Sequence, residues 1–221
     1  MVAKQSIQAE IQNFYNRLEG DDYSRFRSWE HCYKYFQSKN PDVDTSCLHL
    51  GFYLASWGMY RGSSFLLQKD YFIHKPAVTE ILKPKYELLR DAGFETFLGE
   101  NGDKNIDLLF ELIDEIKASY KGIGDTSKKK ANVTDTLVTK ILLGTLGCVP
   151  AYDRFFIAGL KDEDLTYSGL RKSNFKKMVK FCNDNAQEFG QVQKTISNRC
   201  EYPMMKLVDM YFWRLGEKEG N

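Results

Sequence analysis

The chain has 221 residues, of which 43% are hydrophobic and 28% are charged, and its formal net charge is +1. These values are ordinary for a globular protein, and the overall charge does not indicate nucleic acid or an acidic membrane as a partner. The C-terminal part is more basic than the N-terminal part, because basic side chains exceed acidic ones by five in residues 126–221. This asymmetry supports a nucleic-acid interpretation only weakly.

The five cysteines are widely spaced and contain no C-x-x-C pair. This pattern is unlike a disulfide framework or a zinc knuckle. The first residues, MVAKQSIQAEIQNFY, lack the apolar core of a signal peptide, and no uninterrupted apolar run reaches the length of a membrane span. We therefore expect a cytoplasmic protein with reduced thiols and no membrane segment.

Apolar residues recur at helical spacing along the chain, and no convincing alternation of a strand is found. Glycines, prolines and turn dipeptides separate the helical patterns. The predicted helices are residues 5–18, 23–36, 47–67, 75–83, 84–92, 104–120, 133–146, 150–160, 173–189 and 202–215. The sequence thus predicts an all-α class, an irregular bundle of about nine or ten helices with little or no β structure.

Two segments, 47–67 and 133–160, are apolar nearly all round, which is typical of buried helices. We expect them to form the centre of the bundle. Residues 121–131 (KGIGDTSKKKA) are typical of a linker. The prediction is therefore a single helical domain, 1–221, with a sub-domain boundary in this linker as the alternative.

The first central segment carries the small residues Gly51, Ala55, Gly58 and Gly62 on one side, a stripe that predicts close packing or binding, and polar residues on the other. His49, Tyr53 and Tyr60 fall on the polar side, with Trp57 and Arg61 beside it. We predict that these five residues line a ligand pocket, because they combine hydrogen-bonding groups, aromatic rings and a cation. The alternative is an ordinary polar face that meets solvent or satisfied neighbours.

The second central segment offers the candidates for catalysis. Lys140 lies in an apolar run, and a desolvated lysine can act as a base or nucleophile. Asp153 and Arg154 follow Pro150 near a bend, where they would face a cleft; we include Arg154 among the ligand-binding candidates. The alternatives are that Lys140 extends to the surface and that Asp153 interacts with a helix dipole.

Basic residues lie one turn apart in the helix predicted at 173–189 and just before it. Lys172, Lys176 and Lys180, together with residues 128–130, would track a phosphate backbone. The alternative is a solvated lysine face. The three histidines lack metal-ligand spacing, and no cofactor motif is found, so we predict no metal and no cofactor.

The stretch TKILLGTLGCVPAYDRFFIAGL resembles the part of helix-hairpin-helix DNA glycosylases that leads into the helix bearing their catalytic aspartate. The matching positions are Lys140, Val149, Pro150 and Asp153. The glycine-rich hairpin of that family is missing before Lys140, and the span from Lys140 to Asp153 is short for it. The resemblance implies a helical fold that acts on nucleic acid, with Lys140 and Asp153 at the catalytic positions.

The function expected from these patterns is ligand binding in a cleft between residues 47–67 and 133–160. The ligand would be flat or anionic, and the partner a small molecule or a protein. One alternative is a nucleic-acid-binding or nucleic-acid-processing protein. The other is a structural protein whose abundant aromatic residues form an oligomer interface. No motif specifies a reaction, so the sequence leaves open whether the protein is an enzyme.

Overall fold

The computed structural model describes residues 6–123, 131–165, 167–196 and 200–219, and this part of the chain contains helices and no strand. The predicted all-α class is confirmed. Eleven α-helices occur here, together with two short 3-10 helices, Tyr71–His74 and Pro84–Leu89. The α-helices are α1 (Ile7–Glu19), α2 (Arg27–Phe36), α3 (Val43–Ser56), α4 (Lys75–Ile81), α5 (Phe94–Leu98), α6 (Gly102–Ser119), α7 (Asp135–Thr145), α8 (Arg154–Asp162), α9 (Lys172–Asp184), α10 (Ala186–Thr195) and α11 (Met204–Glu219).

The first central segment is shorter than predicted. Helix α3 ends at Ser56 instead of continuing to residue 67. Gly58 has a φ of +73°, and the N–H groups of Gly58 and Met59 donate to the carbonyls of Ala55 and Leu54. These two hydrogen bonds form a Schellman cap, in which a glycine takes up the left-handed conformation. Gly58 is therefore a helix terminator, and the prediction that it belonged to a packing stripe was wrong.

The second central segment is divided into α7 and α8. Helix α7 is buried throughout from Leu137 to Thr145. Its end is marked by Gly147, which has a φ of +65°. The prediction that a helix begins at Pro150 was wrong, because α8 begins at Arg154. The carboxylate of Asp153 caps α8 by accepting hydrogen bonds from the N–H groups of Phe155 and Phe156, and this acceptor sets the start of the helix.

Helices α3 and α7 are in contact, and Tyr53 is the side chain that joins them. A methyl group in place of the hydrogen of Gly144 would lie 2.5 Å from the ring carbon Cε1 of Tyr53. Gly144 therefore lets the Tyr53 ring lie directly on the α7 backbone. The other side of α3 faces outward, since Leu48 and Phe52 are 51% and 56% exposed.

The closest helix crossing lies elsewhere, between α8 and α11. A Cβ added at Gly159 would lie 1.9 Å from the carbonyl oxygen of Phe212, and one added at Gly216 would lie 1.9 Å from that of Phe155. Each glycine thus accepts the backbone of the opposite helix. This crossing brings Phe155 against Trp213, with ring centroids 5.1 Å apart.

The buried apolar residues form one connected cluster to which both the N-terminal and the C-terminal parts contribute. Trp29 lies near its middle and donates from Nε1 to the carbonyl of Leu143 at 3.0 Å. The predicted linker at 121–131 falls for the most part on residues 124–130, which lie outside the described residues. Within the described ranges, the helices are all too short or too polar to cross a membrane.

Candidate functional site

A cleft of about 300 Å³ opens where the end of α3, the first half of α7 and the start of α8 meet. We call it the arginine cleft. Three of the five residues that we predicted on the first central segment lie elsewhere, whereas the candidates of the second segment all line it. Its lining residues are Arg25, Trp57, Gly58, Met59, Arg61, Thr136, Lys140, Asp153, Arg154, Phe155 and Trp213.

An ion pair between Lys140 and Asp153 forms part of the cleft wall. The Lys140 Nζ atom lies 2.9 Å from Oδ2 of Asp153, and the two side chains are 4% and 15% exposed. The other carboxylate oxygen, Oδ1, caps α8. Asp153 therefore holds the lysine and the helix start at the same time, and it fixes the bend between α7 and α8.

The indole of Trp57 is already covered by groups of the protein itself. Lys140 Nζ lies 4.7 Å from its ring centroid and the guanidinium of Arg25 lies 5.2 Å away. Phe26 stacks on the indole at 5.3 Å. The Nε1 atom is buried and has no hydrogen-bond acceptor among the residues that the structure describes. Trp57 thus supplies a wall with an unsatisfied N–H donor, rather than an open face on which a ring would stack.

Three arginines surround the cleft, Arg25, Arg61 and Arg154, and all three are exposed. Among the residues that the structure describes, none of the three has a carboxylate partner within 4.0 Å. Four other arginines do have such partners among the described residues, as Arg17 has Glu217 and Arg27 has Glu19, whereas the exposed Arg171 has none there.

With Lys140, the cleft contains four cationic side chains against the single carboxylate of Asp153. The formal charge of the lining is therefore positive, which favours anions over cations.

Glycine at position 58 is needed for the placement of Arg61. A Cβ at Gly58 would lie 2.8 Å from Nε of Arg61, so the guanidinium lies directly across the turn that ends α3. The glycine thus terminates the helix and makes space for the arginine side chain.

His49, Tyr53 and Tyr60, which were predicted as ligand-binding residues, do not line this cleft. His49 stacks on Tyr35 at 4.4 Å, and Tyr53 is buried against α7. The expectation treated residues 49–60 as one helix face. Because α3 ends at Ser56, Tyr60 does not continue the helical register of His49 and Tyr53.

Tyr60 instead takes part in a buried polar bridge with His74 and Tyr120. Its hydroxyl lies 2.7 Å from Nε2 of His74, and the Tyr120 hydroxyl lies 2.6 Å from Nδ1. Burial lowers the pKa of His74 to about 3, so the imidazole is neutral near pH 7. One ring nitrogen then donates and the other accepts, and the bridge ties the segment after α3 to the end of α6.

The lysines predicted to contact nucleic acid lie on α9. Lys172 Nζ is 2.6 Å from Oδ1 of Asp107, and Lys176 forms an ion pair with Asp103. Lys180 is exposed. Residues 128–130, the other part of this prediction, lie outside the described residues. Two of the three lysines predicted to contact nucleic acid are therefore matched by acidic side chains of α6, and this reduces the positive potential that would attract a phosphate backbone.

The sequence analysis missed several cleft residues, among them Arg25, Phe155 and Trp213. Arg25 precedes α2 in a turn, and Trp213 lies on the last helix, so neither is near the central segments in sequence. A signal for Arg25 was its place beside Phe26 in an aromatic-rich stretch. For Trp213 we find no local signal.

Within the described ranges, no group of His, Cys, Asp or Glu side chains is arranged to hold a metal ion. No protein-family model, curated protein or solved structure matches the chain. The function therefore has to be argued from the site itself.

Proposed function

We propose that the protein binds a small anionic ligand, with phosphate or carboxylate groups, in the arginine cleft. The observation that carries this proposal is the convergence of Arg25, Arg61 and Arg154, without carboxylate partners in the described residues, on one cleft. Guanidinium groups bind phosphate and carboxylate through paired, charge-assisted hydrogen bonds. A ligand of this class would neutralise the excess positive charge.

The remaining cleft residues favour binding of the anion by side chains rather than by the N–H groups at the start of a helix. Asp153 already accepts from the first N–H groups of α8, so the helix N-terminus is occupied. The indole of Trp57 lines the cleft beside these charged groups. The Lys140–Asp153 pair keeps the bend between α7 and α8 in place beneath it.

The size of the cleft favours a small molecule. A volume of about 300 Å³ is at the lower end of the range of ligand pockets. Because Trp57 is covered by Phe26 and by cations, we assign recognition of the ligand to charge rather than to stacking on a flat ring.

We also propose a cytoplasmic location for the protein and a single domain; the five free cysteines fit a reducing compartment.

The experiment is a thermal-shift titration with orthophosphate, pyrophosphate and citrate, at an ionic strength held constant with sodium chloride. Because a ligand that binds only the folded state stabilises it, we expect a saturable rise in Tm with at least one of these anions. A Tm that follows ionic strength alone, with no difference between chloride and the multivalent anions, would refute the proposal.

A second candidate function is action on nucleic acid, for which the contact between Lys140 and Asp153 is the supporting observation. These two residues match the functional positions implied by the glycosylase resemblance. The paired lysines of α9 weigh against this candidate. Binding of a single-stranded oligonucleotide that weakens steeply with salt would favour it over the small-molecule proposal.

A further inference from the structure

A second and larger cleft, of about 550 Å³, lies between the end of α2, the turn at Asp91 and the segment that leads into α11. We call it the tyrosine cleft. Its lining includes Tyr33, Lys34, Asp91, Glu201, Tyr202 and Met204. None of these side chains lines the arginine cleft. That cleft is lined mainly by cations, whereas this one is lined by two carboxylates and two tyrosines.

The rings of Tyr33 and Tyr202 form the floor of the tyrosine cleft, and both stack on the buried Trp29. Trp29 lies between Tyr33 and Tyr202, with ring centroids 4.8 Å and 5.0 Å apart and planes within 13°. The hydroxyl of Tyr202 donates to Glu30 at 2.7 Å. The floor is therefore held on both sides by packing and hydrogen bonds, so a ligand would meet a preorganised surface.

Two carboxylates stand over this floor. Asp91 has a φ of +55° and its backbone N–H donates to the carbonyl of Leu146 at 2.8 Å. Its Oδ1 accepts from the hydroxyl of Tyr33, and within the described ranges its Oδ2 has no hydrogen-bond donor. Glu201 is exposed and has no ion pair in the same part of the chain. Among the described residues that line the cleft, these two carboxylates face one cation, Lys34. The charge of Arg90, the neighbour of Asp91 in the chain, also acts on the Asp91 carboxylate.

We propose that the tyrosine cleft binds an organic cation, a primary amine or guanidine carried on a short aliphatic chain. Ammonium and guanidinium groups supply several N–H donors, which match the free oxygens of Asp91 and Glu201. The aliphatic part would lie against Met204 and the edges of the tyrosine rings. The site is independent of the arginine cleft, so the two proposals succeed or fail separately.

The test is isothermal titration calorimetry with putrescine and with agmatine, and with 1,4-butanediol as the uncharged analogue of putrescine. We expect saturable binding of at least one cation and no binding of the diol. Asp91→Asn keeps an acceptor for Tyr33 but removes the charge, and Glu201→Gln removes the other charge. Each variant should bind about tenfold more weakly, because a charge-assisted hydrogen bond is lost.

Glu95→Gln is the matched control, because Glu95 is exposed on α5 and lies outside the cleft; its affinity should equal that of the original protein. Circular dichroism would show that each variant is folded before titration. The proposal is overturned if neither cation binds, if the diol binds as well as putrescine, or if both cleft variants keep full affinity.

Discussion

Lys140 and Asp153 are joined across the bend between α7 and α8, with Nζ 2.9 Å from Oδ2, and both side chains are largely buried. Thirteen positions separate the two residues in sequence, and no helical register relates them. Their contact places a cation and a carboxylate in the wall of the arginine cleft. Asp153 therefore has two structural roles, the ion pair with Lys140 and the cap of α8. Substitutions can separate these roles.

Asp153→Ala removes both the ion pair and the cap of α8, whereas Asp153→Asn keeps a capping oxygen and loses only the charge. We expect the alanine variant to have a free energy of unfolding about 1 kcal/mol lower than that of the asparagine variant. Urea unfolding followed by circular dichroism measures the difference. Equal stabilities would show that the cap contributes nothing.

The double variant Lys140→Met, Asp153→Asn tests the ion pair itself. Its loss in free energy of unfolding should be smaller than the sum of the losses of the two single variants, because no buried charge is then left without a partner.

The stability of the protein should decrease with acid because of His74. Its pKa is about 3 in the folded state and about 6.5 in an unfolded chain, so between these values the unfolded state binds the extra proton. The free energy of unfolding should therefore be highest above about pH 6.5 and fall by up to about 1.4 kcal/mol per pH unit below it.

Urea unfolding from about pH 7 to about pH 4, compared between the original protein and His74→Gln, measures this contribution. The difference in stability between the two proteins should shrink as the pH falls. A difference that is constant with pH would contradict the assignment of a neutral, buried imidazole.

The crossing of α8 and α11 should not tolerate a side chain at either glycine. Gly159→Ala and Gly216→Ala would each place a Cβ 1.9 Å from a backbone carbonyl oxygen, and backbone cannot move as a flexible side chain does. We expect each change to lower the free energy of unfolding by about 3 kcal/mol or more.

Gly190 is the matched control, since it lies inside α10 and a Cβ there meets nothing within 4 Å. Gly190→Ala should raise the free energy of unfolding by about 0.5–1 kcal/mol, because alanine favours helix more than glycine does. Similar effects of all three substitutions in thermal or urea unfolding would be inconsistent with a backbone contact between α8 and α11.

Two buried tyrosines differ in whether their hydroxyls are satisfied. The Tyr152 hydroxyl has no hydrogen-bond partner in the described part of the chain, whereas that of Tyr202 donates to Glu30. Tyr152→Phe should therefore leave the free energy of unfolding unchanged or raise it by up to about 1 kcal/mol, and Tyr202→Phe should lower it by about 1.5–3 kcal/mol. Urea unfolding of the two variants tests this. A larger loss for Tyr152→Phe than for Tyr202→Phe would contradict it.

Helical periodicity was sufficient to predict the all-α class, since apolar spacing depends only on which face is buried. The ends of the helices were harder to predict from the sequence. Gly58 was interpreted as a small residue that packs against a neighbour, but its left-handed φ ends α3. Asp153 was assigned to the first turn of a helix from Pro150, but it is the cap of a helix that begins at Arg154. In both cases the same residue type fits two local structures, and tertiary packing selects between them.

Only part of the candidate site could be predicted from the sequence, for a related reason. Trp57 and Arg61 follow the end of α3, and Asp153 and Arg154 lie at the start of α8. With Lys140 from the middle of α7 they line one cleft. Arg25 and Trp213 reach that cleft from distant parts of the chain. Their positions depend on how α2 and α11 pack against α3 and α8, and a single sequence without homologues contains no direct signal for such packing.

The arginine cleft is proposed to bind an anion through guanidinium groups that have no carboxylate partner in the described ranges. The most direct measurement is the affinity for pyrophosphate, by isothermal titration calorimetry, of the original protein and of Arg61→Gln, Arg154→Gln and Arg171→Gln. Arg171 is the matched control, because it is exposed and lies outside the cleft. We predict a loss of about tenfold or more in each cleft variant, since each loses a charge-assisted hydrogen bond, and no change in Arg171→Gln. Equal affinity in all four proteins, or an equal loss in the control, would contradict the claim.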